Sequence, residues 1–397
     1  MSTTLEQIVN AVLYEGYILY PYRASSKKNC RERFTFGRVY PKDYSDSQKG
    51  AEPCLIQTEC LLETKDAKPE VEVTVRFLHP MWREVGEVSE DGAFRAAREL
   101  TVDGQLYQSW QEATEREVTV SLGTSSHFSF PASRTTEELS STAAILRRQE
   151  MLKGVVEAQA VEVRPGIFKI TVKVLNRTPV SEALCNDQDA VIMRTFASTH
   201  TILRCTNGEF VSAMEQGAEQ CRSIGTFPVL VGDEEKQERH TMLSSPIILY
   251  DYPRIAPESV GNFFDGTEID EMLTLRVLTM TDSEKLEMRN VDDFARRLLD
   301  RTETAGAENL MKMHGMMRHS KKELRKGDRV RICPKNRADA MDMMLSGKIG
   351  IIEAIEQDAE DRVHLALVLE DDPGRDLGML RQPGHRFFYG VEEVESV

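Results

Sequence analysis

VEVTVRFLHP, residues 71–80, alternates apolar and polar side chains, and FKITVKVLNR, residues 168–177, does the same. Successive side chains of a strand point to opposite faces, so a period of two describes a half-buried β-strand and argues against a helix. CLIQTECLLE (54–63) precedes the first stretch across the polar KDAKP, and 54–80 is expected to form an antiparallel hairpin. LKGVVEAQAVEV (152–163) precedes the second across Arg164-Pro165-Gly166, where Pro165 presets φ and Gly166 supplies a positive φ. EVTVSLG, HFSFPAS, AVIMRTFASTHTILRC and SSPIILYDYPRI add strands, Asn207-Gly208 marks a tight turn, and 135–150 reads as a helical or coil connection.

Helical spacing appears at both ends of this β-rich region. Apolar residues at 5, 8, 9, 12 and 13 predict a helix that Pro21 ends, and 268–319 holds three further helical stretches. The last 77 residues return to short strands. A chain of 397 residues exceeds one ordinary core. The expected class is therefore α+β and multi-domain. A helix and β-rich region span 1–140, and a second β-rich unit spans 141–262, in the same domain or a separate one. A helical connector covers 263–320, and a small β-barrel covers 321–397.

No apolar run approaches the roughly 20 residues of a membrane span, so no membrane insertion is expected. The N-terminus lacks the basic and small-residue features of a secretory signal. Seven scattered cysteines without a Cys-x-x-Cys suit reduced thiols in a cytoplasm and argue against a structural zinc. Net charge is −15, which disfavours general phosphate binding. Two stretches run against it: 17–42 holds seven Lys/Arg and one Glu, and 318–337 holds nine and two acids.

In the first of these stretches, aromatics alternate with cations. Tyr20, Tyr22, Arg23, Arg31, Arg33, Phe34 and Phe36 are the candidate partner-binding residues. Stacking rings and phosphate-holding cations would suit single-stranded nucleic acid. Ion pairing with the acidic body, or with a protein partner, explains them more simply, and Arg23 and Arg33 are the expected anchors. The carboxylates of NFFDGTEIDEMLTLR stand where a helix begins. Asp265, Thr267, Glu268, Asp270 and Glu271 are read as capping and docking groups and not as a metal site, since first-turn acids oppose the helix dipole. Thr281 to Glu284 repeats the spacing. The Met-His run at 310–319 has the spacing of a core stripe, although thioethers and imidazoles also suit a soft metal. Asp372, Arg375, Asp376, His385 and Arg386 are expected on the barrel surface. No nucleophile elbow, phosphate loop or zinc motif is present, so the sequence leaves the catalytic residues unknown, and no metal or cofactor is expected.

Lys326-Gly327-Asp328-Arg329-Val330-Arg331, followed by Gly347-Lys348-x-Gly350-x-Ile352, resembles small SH3-like barrels of the KOW and nitrile hydratase β types. LYEGYILYPYRASSKKNCRERFTFG, SSPIILYDYPRIAPES, FFDGTEIDEMLTLRVLTMTDSEK and EDDPGRDLGMLRQPGHRFFYGVEEVE together resemble a bacterial family encoded beside uptake NiFe-hydrogenase structural and maturation genes. The resemblance runs from near residue 13 to the C-terminus and transfers no catalytic residues. It implies a cytoplasmic accessory or adaptor protein whose partner is a hydrogenase subunit or maturation factor. A nucleic-acid-binding regulator is the alternative, and a metalloprotein or hydrolase using Asp265, Glu268 and His385 is a third reading.

Overall fold

β2 (Val71–Val88), eighteen residues long, is the strand around which the larger sheet of the computed structural model is built. One flank pairs with β12 (Ala197–Cys205) and then with β9 (Ala143–Gln149). The other pairs with β6 (Trp110–Ser121) and then with β3 (Phe94–Ala97). Pro80 has no N–H to donate. It falls between the last β12 pair, at Leu78, and the first β9 pair, at Trp82, where that flank lacks a partner strand. β15 (Thr241–Ser245) and β14 (Phe227–Leu230) extend the sheet beyond β12, and β8 (Ser133–Ser140) extends it beyond β9. The smaller sheet has the order β13 (Glu209–Phe210), β1 (Leu55–Glu63), β11 (Ile167–Asn176), β10 (Leu152–Arg164), β7 (Thr124–Phe130). β4 (Glu99–Val102) and β5 (Gln105–Gln108) form a separate hairpin.

The structure describes residues 3–19, 22–24, 26, 29, 33–254, 270–291, 293–304, 325–333, 345, 347–357, 363–373, 386–390 and 393–396. The chain divides into two units, Met1–His314 and Gly315–Val397.

The two sheets of the first unit pack face to face as a β-sandwich. Ile56, Leu62, Val156 and Ile170 from the smaller sheet meet Val73, Val75, Phe77 and Leu203 from the larger in one buried core. Inside it the Thr58 hydroxyl donates to Ser244 Oγ at 2.7 Å, and Thr226 Oγ1 lies 2.7 Å from the same atom. Strands from both sides of residue 140 enter both sheets, so the expected boundary at 140/141 separates nothing. The expected 54–80 hairpin also fails to form. β1 pairs with β11 over nine residues, while β2 lies in the other sheet. The polar 64–70 connection carries the chain across the sandwich. Residues 135–150 are likewise the β8–β9 hairpin and not a helix or coil. The strand expected in 244–255 ends at Ser245. The 164–166 turn joins β10 to β11 as expected, with Gly166 at φ +76°.

Helices cover the outer face of the larger sheet. α1 (Thr3–Tyr14) lays Leu5, Ile8, Val9 and Val12 on Ile202, Val229 and Leu243. Each such burial stabilises by about 2 kcal/mol. The helix stops well before Pro21, and Gly16 turns the chain at φ +72°. A Cβ there would lie 2.9 Å from the Phe36 ring. α2 (Lys42–Ser47) and α3 (Gln188–Ile192) are short. α4 (Asp270–Leu278), α5 (Asp282–Val291) and α6 (Asp293–Thr304) bury Leu273, Val277, Met288, Val291, Leu298 and Leu299 against Tyr17, Leu78 and Trp110. Over these residues the expected connector is part of the first unit, because each helix carries an apolar stripe that the sheet face covers.

The second unit is an antiparallel half-barrel ordered β19 (Phe387–Gly390), β18 (Val363–Leu369), β17 (Ile349–Gln357), β16 (Arg329–Ile332), β20 (Val394–Ser396). Val330, Ile332, Ile352, Leu365, Leu367 and Tyr389 fill its core. Among the described residues no helix is long and apolar enough to cross a membrane.

Candidate functional site

The cationic aromatic stretch is built into the interior of the first unit. Tyr22 and Phe34 are fully buried, and Arg33 is buried with them. The Arg33 guanidinium carbon lies 3.5 Å from the Trp110 ring centroid, 4.6 Å from Phe34 and 4.8 Å from Tyr17. Its Nε donates to Tyr17 O at 2.6 Å and its Nη1 to Gln111 O. Arg38 donates onward to Phe34 O and Arg33 O, and to Tyr40 Oη at 2.7 Å. Arg23 pairs with Glu284 of α5 at 3.2 Å.

This arrangement corrects the expectation that Tyr22, Arg33 and Phe34 present a partner-binding face, because packed rings and a guanidinium sealed among them offer no surface to a partner. Phe36 packs at Gly16. Tyr20 and Arg31 lie outside the described residues. The sequence reading missed Asn29, whose buried amide donates to Leu19 O and Arg23 O and accepts from Leu19 N–H, closing the loop. An asparagine among basic residues carries no sequence signal for that role.

Beside the arm, β12 opens irregularly. Its register with β2 slips between Ala197 and His200, and Ser198 sits at φ +51°. The arm completes the irregularity: Ser198 N–H donates to Phe36 O and Thr199 N–H to Gly37 O. His200 Nδ1 lies 2.8 Å from Ser198 O, so Nδ1 carries the proton and Nε2 the lone pair. Burial first, then Arg76, lowers its pKa to about 4, against the backbone bond that favours the cation. Ser198 Oγ, Thr199 Oγ1 and His200 Nε2 have no protein partner among the described residues. All three residues are fully buried.

Capping geometry is present at α5. Glu284 N–H donates to Thr281 Oγ1 at 3.3 Å, and Thr281 N–H donates to Glu284 Oε2 at 3.0 Å. Asp270 begins α4, with Glu271 following it. Asp265, Thr267 and Glu268 lie outside the described residues, as do Arg375, Asp376 and His385 and the whole Met-His run at 310–319. Asp372 is half-buried. Arg386 is half-buried as well, donating to the buried Glu353 at 2.7 Å and lying beside the exposed Phe388. Among the described residues no group of three His, Cys, Asp or Glu side chains is placed to hold a metal ion.

Exposed apolar side chains are frequent in residues 214–250, the segments around β14 and β15. Met214 (91% exposed), Tyr250 (90%), Ile248 (75%), Phe227 and Ile224 make up half of the ten large exposed apolar side chains among the described residues. Hydrogen bonds draw these segments together. Ser212 Oγ donates to Asp251 Oδ2, Leu230 N–H donates to Asp251 Oδ1, and Tyr252 N–H donates to Leu230 O. β14 is an edge strand whose Pro228 has no N–H to offer another strand, so this surface suits side-chain docking better than strand addition. Residues 209–254, the segment that carries these side chains, hold eight acids and four Lys/Arg.

No family model matches the chain, and no curated protein matches its sequence.

Proposed function

We propose that the chain is an accessory protein that docks a folded protein partner at the β14 edge. The observation carrying this reading is the exposure of Met214, Ile224, Phe227, Ile248 and Tyr250 within one net-acidic segment, 209–254. Apolar groups exposed together and rimmed by polar residues mark interaction surfaces. The net-acidic segment selects a partner whose apolar surface is bordered by Lys and Arg, since complementary charge steers encounter. The family that the four sequence blocks resemble supplies the partner to try first, a NiFe-hydrogenase subunit or maturation factor. Free cysteines at 54, 60, 185, 205, 221 and 333 fit a reducing cytoplasm. The second unit is read as an SH3-like barrel because its last strand returns to pair with its first, β16 with β20, as barrel closure requires.

The test is affinity capture from a native host lysate, using the wild-type chain beside an Ile248→Asp/Tyr250→Asp variant, with quantitative mass spectrometry. A hydrogenase component recovered with wild type and lost with the variant supports the reading. Recovery of no such component, or equal recovery with both baits, sinks it.

A further inference from the structure

β8 ends the larger sheet at the edge opposite β14. Its side chains from Ser133 to Glu138 are all exposed, and neither proline nor glycine interrupts it. As on any edge strand, one row of its backbone N–H and C=O groups faces away from the sheet and offers a template to another strand. Charged side chains on an edge usually discourage such pairing. On β8 they are placed so as to permit it in one register. Arg134 and Glu138 share a face but stand about 13 Å apart along the strand, too far to pair with each other. Neither has an ion pair among the described residues, whereas Glu137, on the opposite face, is held by Arg147 at 2.6 Å. Arg134 also lies opposite Arg148 of β9, a like-charge pair that costs stability, and Arg148 already takes Glu84 at 3.2 Å.

Two copies of an edge strand related by a two-fold axis run antiparallel. Residues directly opposite each other must both present their backbone groups to the partner strand or both turn them away. Successive residues alternate in this respect, so the axis must fall on a residue. An axis on Glu137 would set two carboxylates face to face, and one on Thr135 would leave Arg134 opposite Thr136. An axis on Thr136 places each Arg134 opposite Glu138 of the other copy and brings the two Thr136 hydroxyls together, both favourable cross-strand pairs. The irregularity between Glu138 and Ser140 ends the ladder just beyond these pairs. We propose that the chain forms a two-fold dimer by antiparallel β8–β8 pairing centred on Thr136, with Arg134 of each copy paired to Glu138 of the other. A contact of about five residues a side belongs to the weak, reversible class of interfaces. Both β14 edges stay free at the far ends of the joined sheet.

The test is sedimentation equilibrium of the full chain over a range of concentrations. Wild type is expected to show a monomer–dimer equilibrium. Arg134→Glu and Glu138→Arg each set like charges face to face twice, and each is expected to weaken the dimer roughly tenfold. The double variant Arg134→Glu/Glu138→Arg restores opposite charges and is expected to recover the wild-type dissociation constant. Both positions are exposed, and circular dichroism confirms that the variants remain folded. A monomer at every concentration overturns the proposal. So does a dimer that either single exchange leaves intact, or a double variant no tighter than the singles. A dimer lost in the Ile248→Asp/Tyr250→Asp variant would place the contact at β14 and overturn it equally.

Discussion

Arg33 illustrates how one residue type serves opposite purposes. A guanidinium among aromatics is equally the signature of a stacking platform for bases and of a buried cation–π hub, and only the fold decides. Here two backbone carbonyls and three rings hold it. Lysine cannot reproduce that fork, so Arg33→Lys is expected to destabilise the first unit by about 3 kcal/mol, the cost of a buried charge stripped of its partners. Urea denaturation followed by tryptophan fluorescence reads this directly, because both tryptophans, Trp82 and Trp110, belong to that unit. Little or no change would mean that the guanidinium is solvated.

The buried histidines give this unit an acid sensitivity. His79 Nε2 donates to Glu150 O at 2.9 Å and Nδ1 accepts from Arg116, so the ring is neutral; burial and then Arg116 lower its pKa to about 3. His200 is held neutral at about 4. Both folded values lie below the ordinary 6.5, so the unfolded chain takes up the protons first. Their stabilisation is complete above pH 6.5 and is lost as pH falls through 6.5 toward 4, amounting to about 2 kcal/mol per histidine at pH 5. Denaturation midpoints at pH 7.5 and pH 5 check this, and His79→Gln is expected to flatten the slope. An unchanged slope would assign the acid sensitivity to other groups.

At the level of elements, what the sequence discloses depends on whether the decisive interactions are local. The β10–β11 hairpin was legible because Pro165 and Gly166 impose the turn whatever surrounds them. The Thr281–Glu284 capping box was legible for the same reason. Thr281→Ala is expected to cost about 1 kcal/mol of first-unit stability, seen as a lower urea midpoint, while Thr281→Ser restores most of it. The β1–β2 pairing was misread because alternation describes a half-buried strand without naming its neighbour. Nine pairs with β11, contributed from more than a hundred residues away, outweigh the nearby candidate. β8 escaped notice because its side chains are almost all exposed and polar, leaving no alternation to see. Of the candidate surfaces, the basic arm was visible in composition but its burial was not. The β14 edge was invisible, since which apolar residues between 214 and 250 stay exposed is set by tertiary packing and not by a local pattern.

Across the whole molecule, the same non-local logic fixes where the chain can be divided. A cut near residue 140 would separate β2 and β6 from β9 and β12, and β1 from β10 and β11, leaving two sets of unpaired edges and half of one core. A cut near 262 would strip α4 to α6 from the face they cover and expose Tyr17, Leu78 and Trp110. A cut at the junction of the two units removes none of the sandwich's strand pairs and none of its helices among the described residues. Residues 1–314 produced alone are therefore expected to be soluble, to unfold cooperatively and to keep the tryptophan emission of the full chain, whereas residues 1–140 and 1–262 are expected to aggregate. Expression of the three fragments, with thermal denaturation of those recovered, decides the matter. A folded, monomeric 1–140 fragment would show that the two sheets are not one cooperative core.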